Sequence, residues 1–123
     1  MLIKILYITI GGALGSTLRY LVSHFCKIYF PYFPIGTLLV NIIGSFFIGV
    51  FVGYLNNKEI LEFFIKYLLI IGLLGSFTTF SAFSIETLEL LKKDGIYVSL
   101  IYIMSSIILS IFAAYIGFTL IKL

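Results

Sequence analysis

Between Gly75 and Glu86 the chain reads Gly-Ser-Phe-Thr-Thr-Phe-Ser-Ala-Phe-Ser-Ile-Glu, five hydroxyl side chains and three phenylalanines in twelve residues. A hydroxyl can donate a hydrogen bond to an anion, and an aromatic ring has a positive edge. The mixture therefore suits a negative ion held without a full countercharge. Gly72 and Gly75 precede Thr78-Thr79, a pair that suits an N-cap and lets a helix stop and restart. A helix broken inside a bilayer exposes carbonyls at the end of its first half, which suit a cation. Its second half begins with free N–H groups, which suit an anion.

Other polar and small residues fall in register with this cluster. Thr37, Asn41, Ser45, Gly49 and Gly53 recur at four-residue intervals and form one ridge on a helix. Packing accounts for Ser45, Gly49 and Gly53, but a buried amide such as Asn41 costs free energy unless its two N–H donors are used. Gly11, Gly15 and Arg19 make a second ridge, and Tyr102, Ser106, Ser110 and Ala114 a third. At 100° per residue, Phe80 and Phe83 lie about 60° apart on one helix face, flanked by Ser81 and Ser84. The competing reading is plain core packing, with hydroxyls bonding back to the carbonyl four residues earlier. The combination with Asn41 and the glycines favours an ion route.

The chain has 123 residues, 62% hydrophobic and only 11% charged, with a mean hydropathy of +1.23. Soluble domains carry about 25% charged residues, so this is an integral membrane protein. Stretches without charge separate Lys4 from Arg19, Lys27 from Lys58, Lys66 from Glu86 and Asp94 from Lys122. Four spans follow, expected at about 2–25, 36–56, 61–92 with a break near 75–79, and 96–121, in a single transmembrane domain over 1–123. Pro31 and Pro34 mark the first connection, and the charged turn Lys58-Glu59 follows the second span. The opening apolar stretch resembles a secretory signal, but hydrophobicity resumes past Arg19 and fits a full first span.

No Asp, Glu, Lys or Arg is expected in the central part of any span. That leaves proton relays and divalent-metal sites without their usual groups. Catalysis finds no support, because the chain has no Ser/His/Asp set, no His-Glu metal motif and no phosphate loop. Cys26 is the only cysteine and His24 the only histidine. The net charge of +3 is spread over the loops and makes no nucleic-acid face. With four spans, Lys4, Lys58, Lys66 and Lys122 share one side and Arg19, Lys27, Lys92 and Lys93 the other. Four against four gives no preferred orientation: either Arg19 or Lys66 lies too deep to count, or copies insert both ways and pair antiparallel. Four helices can hardly enclose a pore alone, so an oligomer is expected.

Three segments together resemble the small fluoride channels of the CrcB/Fluc family: Gly11-Gly12-x-x-Gly15-x-x-x-Arg19-Tyr20, Gly36-Thr37-Leu38-x-Val40-Asn41-x-x-Gly44-x-Phe46-x-x-Gly49, and Gly72-x-x-Gly75-x-x-Thr78-Thr79-Phe80-Ser81-x-Phe83-Ser84-x-Glu86. The resemblance implies an all-α, antiparallel dual-topology homodimer of four-span subunits in the cell (inner) membrane, passively exporting cytoplasmic fluoride. It implies that Asn41 donates to the ion, that Phe80 and Phe83 present ring edges, and that Thr37, Ser81, Ser84, Ser110 and Tyr102 line the route. Arg19 would attract anions in a vestibule. The carbonyls of Gly75 and Thr78 would hold a structural Na⁺ at the dimer centre. Ala82 departs from the threonine usual in that family and shortens the polar track by one hydroxyl. The alternatives are a small dual-topology multidrug transporter, which needs an acidic residue that helix one lacks, and a structural subunit of a membrane complex.

Overall fold

The computed structural model describes residues 1–55 and 59–121. Helix α1 (Leu2–Tyr29) runs past the expected boundary at Phe25. Phe30 stops it: proline disfavours helical dihedrals in the residue before it, and Phe30, preceding Pro31, adopts φ −130° and ψ 69°. The longer helix changes the place of Arg19, which now lies about 15 Å along the axis from Tyr29. The expectation of no Arg or Lys inside a span is thereby corrected. Helix α2 (Ile35–Tyr54) follows Pro34. Its expected end at Asn56-Asn57 and the turn at Lys58 lie outside the described residues.

The third span is assembled from pieces. A short α3 (Glu59–Phe64) leads into a π-helical stretch, Ile65–Leu74, and then into α4 (Gly75–Phe77). Helical dihedrals resume in α5 (Phe80–Lys93). Between them Thr78 (φ −78°, ψ 154°) and Thr79 (φ −151°, ψ 121°) are extended. Thr79 caps α5, its hydroxyl accepting from the Ala82 N–H at 3.1 Å. Gly95, with φ 88°, turns the chain into α6 (Ile96–Leu120), and that positive φ is the reason a glycine stands there. The N–H groups of Asp94 and Gly95 both donate to the Leu90 carbonyl, closing the end of α5.

Close backbone approach holds the helices together. A β-carbon on Gly49 would strike the Ala114 carbonyl, and one on Gly117 the Phe46 carbonyl, so α2 and α6 touch through glycine. Gly11 and Gly15 bring α1 onto the Leu68 and Leu73 carbonyls of the π-helical stretch in the same way. The buried hydrophobic set is small: Val40, Ile65, Leu74, Phe77, Phe83, Leu90 and Tyr102. Most other large apolar side chains face outward, as they do where lipid is the solvent. Four helical spans, Leu2–Tyr29, Ile35–Tyr54, Glu62–Lys93 and Ile96–Leu120, are long and apolar enough to cross a membrane.

Candidate ion pathway

The extended pair Thr78-Thr79 is held from across the bundle. Asn41 on α2 accepts from the Thr79 N–H through Oδ1 at 2.8 Å and donates through Nδ2 to the Thr79 carbonyl at 3.1 Å. Its amide therefore works first as a brace on the interrupted backbone. One of its two N–H donors remains available to an ion.

These bonds redirect the local donors. In an unbroken helix the Thr79 N–H would reach the Gly75 carbonyl and the Ala82 N–H the Thr78 carbonyl. Here the first goes to Asn41 and the second to the Thr79 hydroxyl. The carbonyls of residues 75–78, Gly75 and Thr78 among them, thus lose the donors that a continuous helix would give them. Among the described residues no group of three or more His, Cys, Asp or Glu side chains is placed to hold a metal ion.

Beside the break lies an open groove of about 330 Å³, lined by Asn41, Ser45, Thr78, Thr79, Phe80, Phe83, Ser106 and Ser110 together with Ile48, Ile107 and Ile111. Phe80 is 77% exposed and Phe83 is buried, their ring centroids 5.4 Å apart. Lining the same groove, the hydroxyls of Ser106 and Ser110 are buried, Ser110 with no hydrogen-bond partner and Ser106 with only a weak contact to the Tyr102 hydroxyl. Other hydroxyls of α6 behave differently. Ser99, Ser105 and Thr119 bond back to the carbonyls of Gly95, Ile101 and Tyr115 at 3.0, 2.6 and 3.0 Å. A buried hydroxyl left unpaired costs about 1–3 kcal/mol, so the two in the groove are placed for a polar occupant.

Tyr102 connects this groove to a second polar set. Its ring packs on Phe83 at 5.3 Å and meets Phe33 edge-on at 5.6 Å. Its hydroxyl donates to Glu86 Oε2 at 2.7 Å, and Thr37 donates to Glu86 Oε1 at 2.7 Å. Tyr102 and Thr37 are therefore committed to a carboxylate. Glu86 and Thr37 also line the floor of a vestibule of about 490 Å³, whose walls carry His24, Lys27, Lys93, Glu89 and Asp94.

Thr37 and Tyr102 thus lie outside the groove lining, and three more expected residues stand apart from both sets. Ser84 bonds back to the Phe80 carbonyl at 2.9 Å. Ser81 shares a hydrogen bond with the Thr79 hydroxyl at 3.2 Å and faces a different cleft. Arg19, with its Nε buried and unpaired, lines that same cleft of about 380 Å³ with Gly12, Ser16, Gly75, Ser76, Thr78 and Ser81, away from the vestibule at the end of α1. The groove and the Arg19 cleft share Thr78, Thr79 and Phe80, so the break forms a wall of each.

Sequence reasoning left Glu86 and Ser106 without roles. Glu86 figures in the sequence as the charge that bounds a span and as the last residue of the third family-like segment, with no role attached. Ser106 stood in the ridge between Tyr102 and Ser110, and that spacing was the available signal.

A family model described as CrcB-like protein, Camphor Resistance (CrcB), matches residues 6–118. The fluoride-specific ion channel FluC of Flavobacterium psychrophilum is 41% identical over 119 residues, covering 96% of each chain. FluC of Aquifex aeolicus is 42% identical over 114 residues, covering 92% of each, and FluC of Rhizobium etli 40% over 122 residues, covering 98% of each.

Proposed function

Because this chain belongs to the CrcB family, we propose that it is a passive fluoride-selective channel, a multi-pass protein of the cell (inner) membrane that lets cytoplasmic fluoride leave. It moves an ion and catalyses no reaction. The observation that carries this reading is the groove itself, lined by the buried and weakly bonded hydroxyls of Ser106 and Ser110 together with the paired rings of Phe80 and Phe83. Fluoride is small and strongly hydrated, so it needs donors that replace water. Hydroxyls, one N–H of Asn41 and aromatic edges supply them without a fixed charge to trap the ion.

The route proposed runs from the vestibule past Thr37, Glu86 and Tyr102 into the groove at Phe83, and on past Ser106 and Ser110. Glu86 holds both hydroxyls of the first set. An anion passing there competes with the carboxylate for them. Ser81 and Arg19 act from the neighbouring cleft, where the guanidinium raises the local anion concentration. Ser84, bonded to its own helix, serves packing on this reading.

A second copy in the opposite orientation completes the assembly. Phe80 is exposed, and the groove and cleft on its two sides are open. With Arg19 inside its span, the two ends carry four and three basic residues, a difference of one that still permits insertion both ways. The interruption of the third span at Thr78-Thr79 would lie at the centre of this homodimer. The Gly75 and Thr78 carbonyls of each copy would hold a structural Na⁺ there, its charge tying the interrupted backbones together.

The test is flux from liposomes containing the purified protein. Fluoride efflux that needs no proton gradient and greatly exceeds chloride efflux is expected. Vesicles that stay closed to fluoride would end the proposal.

A further inference from the structure

We propose that Lys4, Tyr67 and Lys66, at the end of the molecule away from the vestibule, bind the phosphate of an anionic phospholipid headgroup. Lys4 Nζ lies 5.0 Å and Lys66 Nζ 5.9 Å from the centroid of one ring, that of Tyr67. Two ammonium groups thus stand on one ring, and among the described residues neither is ion-paired with a carboxylate, Glu62 one turn before Lys66 included. The π-face offsets part of the positive charge, and a phosphate between the two offsets the rest.

The platform beneath is fixed. Tyr67 packs on Phe63 with centroids 4.8 Å apart, and Tyr7 from α1 meets Phe63 and Phe64 edge-on at 5.7 and 6.0 Å. Tyrosines at this level suit the membrane interface. Next to Lys4, the side chains of Leu2, Ile3, Ile5 and Leu6 are more than half exposed, an apolar fringe for acyl chains beside a cationic site. That pairing of surfaces fits a phospholipid better than a free anion, which has no use for the fringe. The vestibule end lacks this arrangement. Lys93 also stands over a tyrosine there, Tyr32 at 5.1 Å, but it shares its cavity with Glu89 and Asp94.

Native mass spectrometry of the full-length protein released from nanodiscs of equal phosphatidylglycerol and phosphatidylcholine tests the site. The wild type should retain phosphatidylglycerol selectively, and millimolar inorganic phosphate should not displace it. K4Q/K66Q should lower the selectivity about 30-fold, the combined contribution of two basic residues at a membrane surface. K4R/K66R should preserve it. Y67L, which leaves the charge unchanged, should lower it several-fold, and the same spectra report whether the assembly is intact. Equal retention of both lipids by the wild type would overturn the proposal. Displacement by inorganic phosphate would assign the cluster to free anions, and an equal loss in K92Q/K93Q would show charge attraction without a site.

Discussion

Two sets of polar side chains lie on either side of Phe83, and they are satisfied in opposite ways. Toward the vestibule, Thr37, Glu86 and Tyr102 form a closed set in which each hydroxyl has a carboxylate oxygen at 2.7 Å. Along the groove, the hydroxyls of Ser106 and Ser110 are buried, Ser110 with no partner and Ser106 with only a weak contact to the Tyr102 hydroxyl. A closed set holds its own geometry, and an open set waits for an occupant. Residues able to bind an anion need not, therefore, have that capacity free in the resting protein. On the proposed route the ion meets open donors in the groove and must displace an internal acceptor at Glu86.

The change that strikes this contrast hardest is Asn41→Asp. An aspartate can still accept from the Thr79 N–H, but it has no donor for the Thr79 carbonyl and adds a fixed negative charge beside the groove. At 4 Å and an effective dielectric near 20, that charge costs an anion about 4 kcal/mol. Fluoride efflux from proteoliposomes should fall by roughly a thousandfold while size-exclusion chromatography still shows the assembled protein. Undiminished flux would remove the groove from the route. Phe80→Ile comes next. It takes away a ring edge worth about 1 kcal/mol, so efflux should fall about fivefold, and no change would leave Phe80 a packing residue.

The open set makes a sharper demand on the double variant Ser106→Ala with Ser110→Ala. Deleting a paired hydroxyl destabilises a protein, whereas deleting a buried unpaired one does not. The expected outcome is a flux several-fold lower with an unchanged or higher melting temperature in detergent. Normal flux with a lowered melting temperature would show that these hydroxyls have internal partners and no part in conduction. For the closed set the signs reverse: Tyr102→Phe strands Glu86 Oε2 and should cost about 1–3 kcal/mol of stability, read as a drop in thermal midpoint.

Much of this arrangement was legible before any coordinates. Four charge-free stretches predict four spans, and four-residue spacing aligns Thr37 with Asn41 and Tyr102 with Ser106 and Ser110, because a helix converts spacing directly into a face. What spacing could not supply was the pairing between faces. Thr37 and Glu86 lie 49 residues apart, and nothing local to either shows that they meet. The place of Arg19 is hidden for a related reason. Its depth depends on where α1 ends, which Phe30 decides through the proline after it. The π-helical stretch Ile65–Leu74 is an unbroken apolar run apart from Lys66, Tyr67 and Gly72, and such a run has no feature that separates a π from an α turn.

The smallest expected effect is also the control that gives the others meaning. Ser99 stands on the same helix as Ser106 and is likewise buried, but its hydroxyl donates to the Gly95 carbonyl one turn back at 3.0 Å. Alanine at 99 removes that bond, yet the Ser99 N–H still reaches the same carbonyl at 3.4 Å, so the acceptor is not stranded. The cost should stay near 0.5 kcal/mol, the lower end for a single hydrogen bond, and fluoride efflux should match the wild type. Matched rates for Ser99→Ala beside depressed rates for the groove variant would locate the effect in the unpaired hydroxyls. Equal depression in both would mean that α6 tolerates no loss of a hydroxyl anywhere, and the distinction between open and closed polar sets would lose its functional meaning.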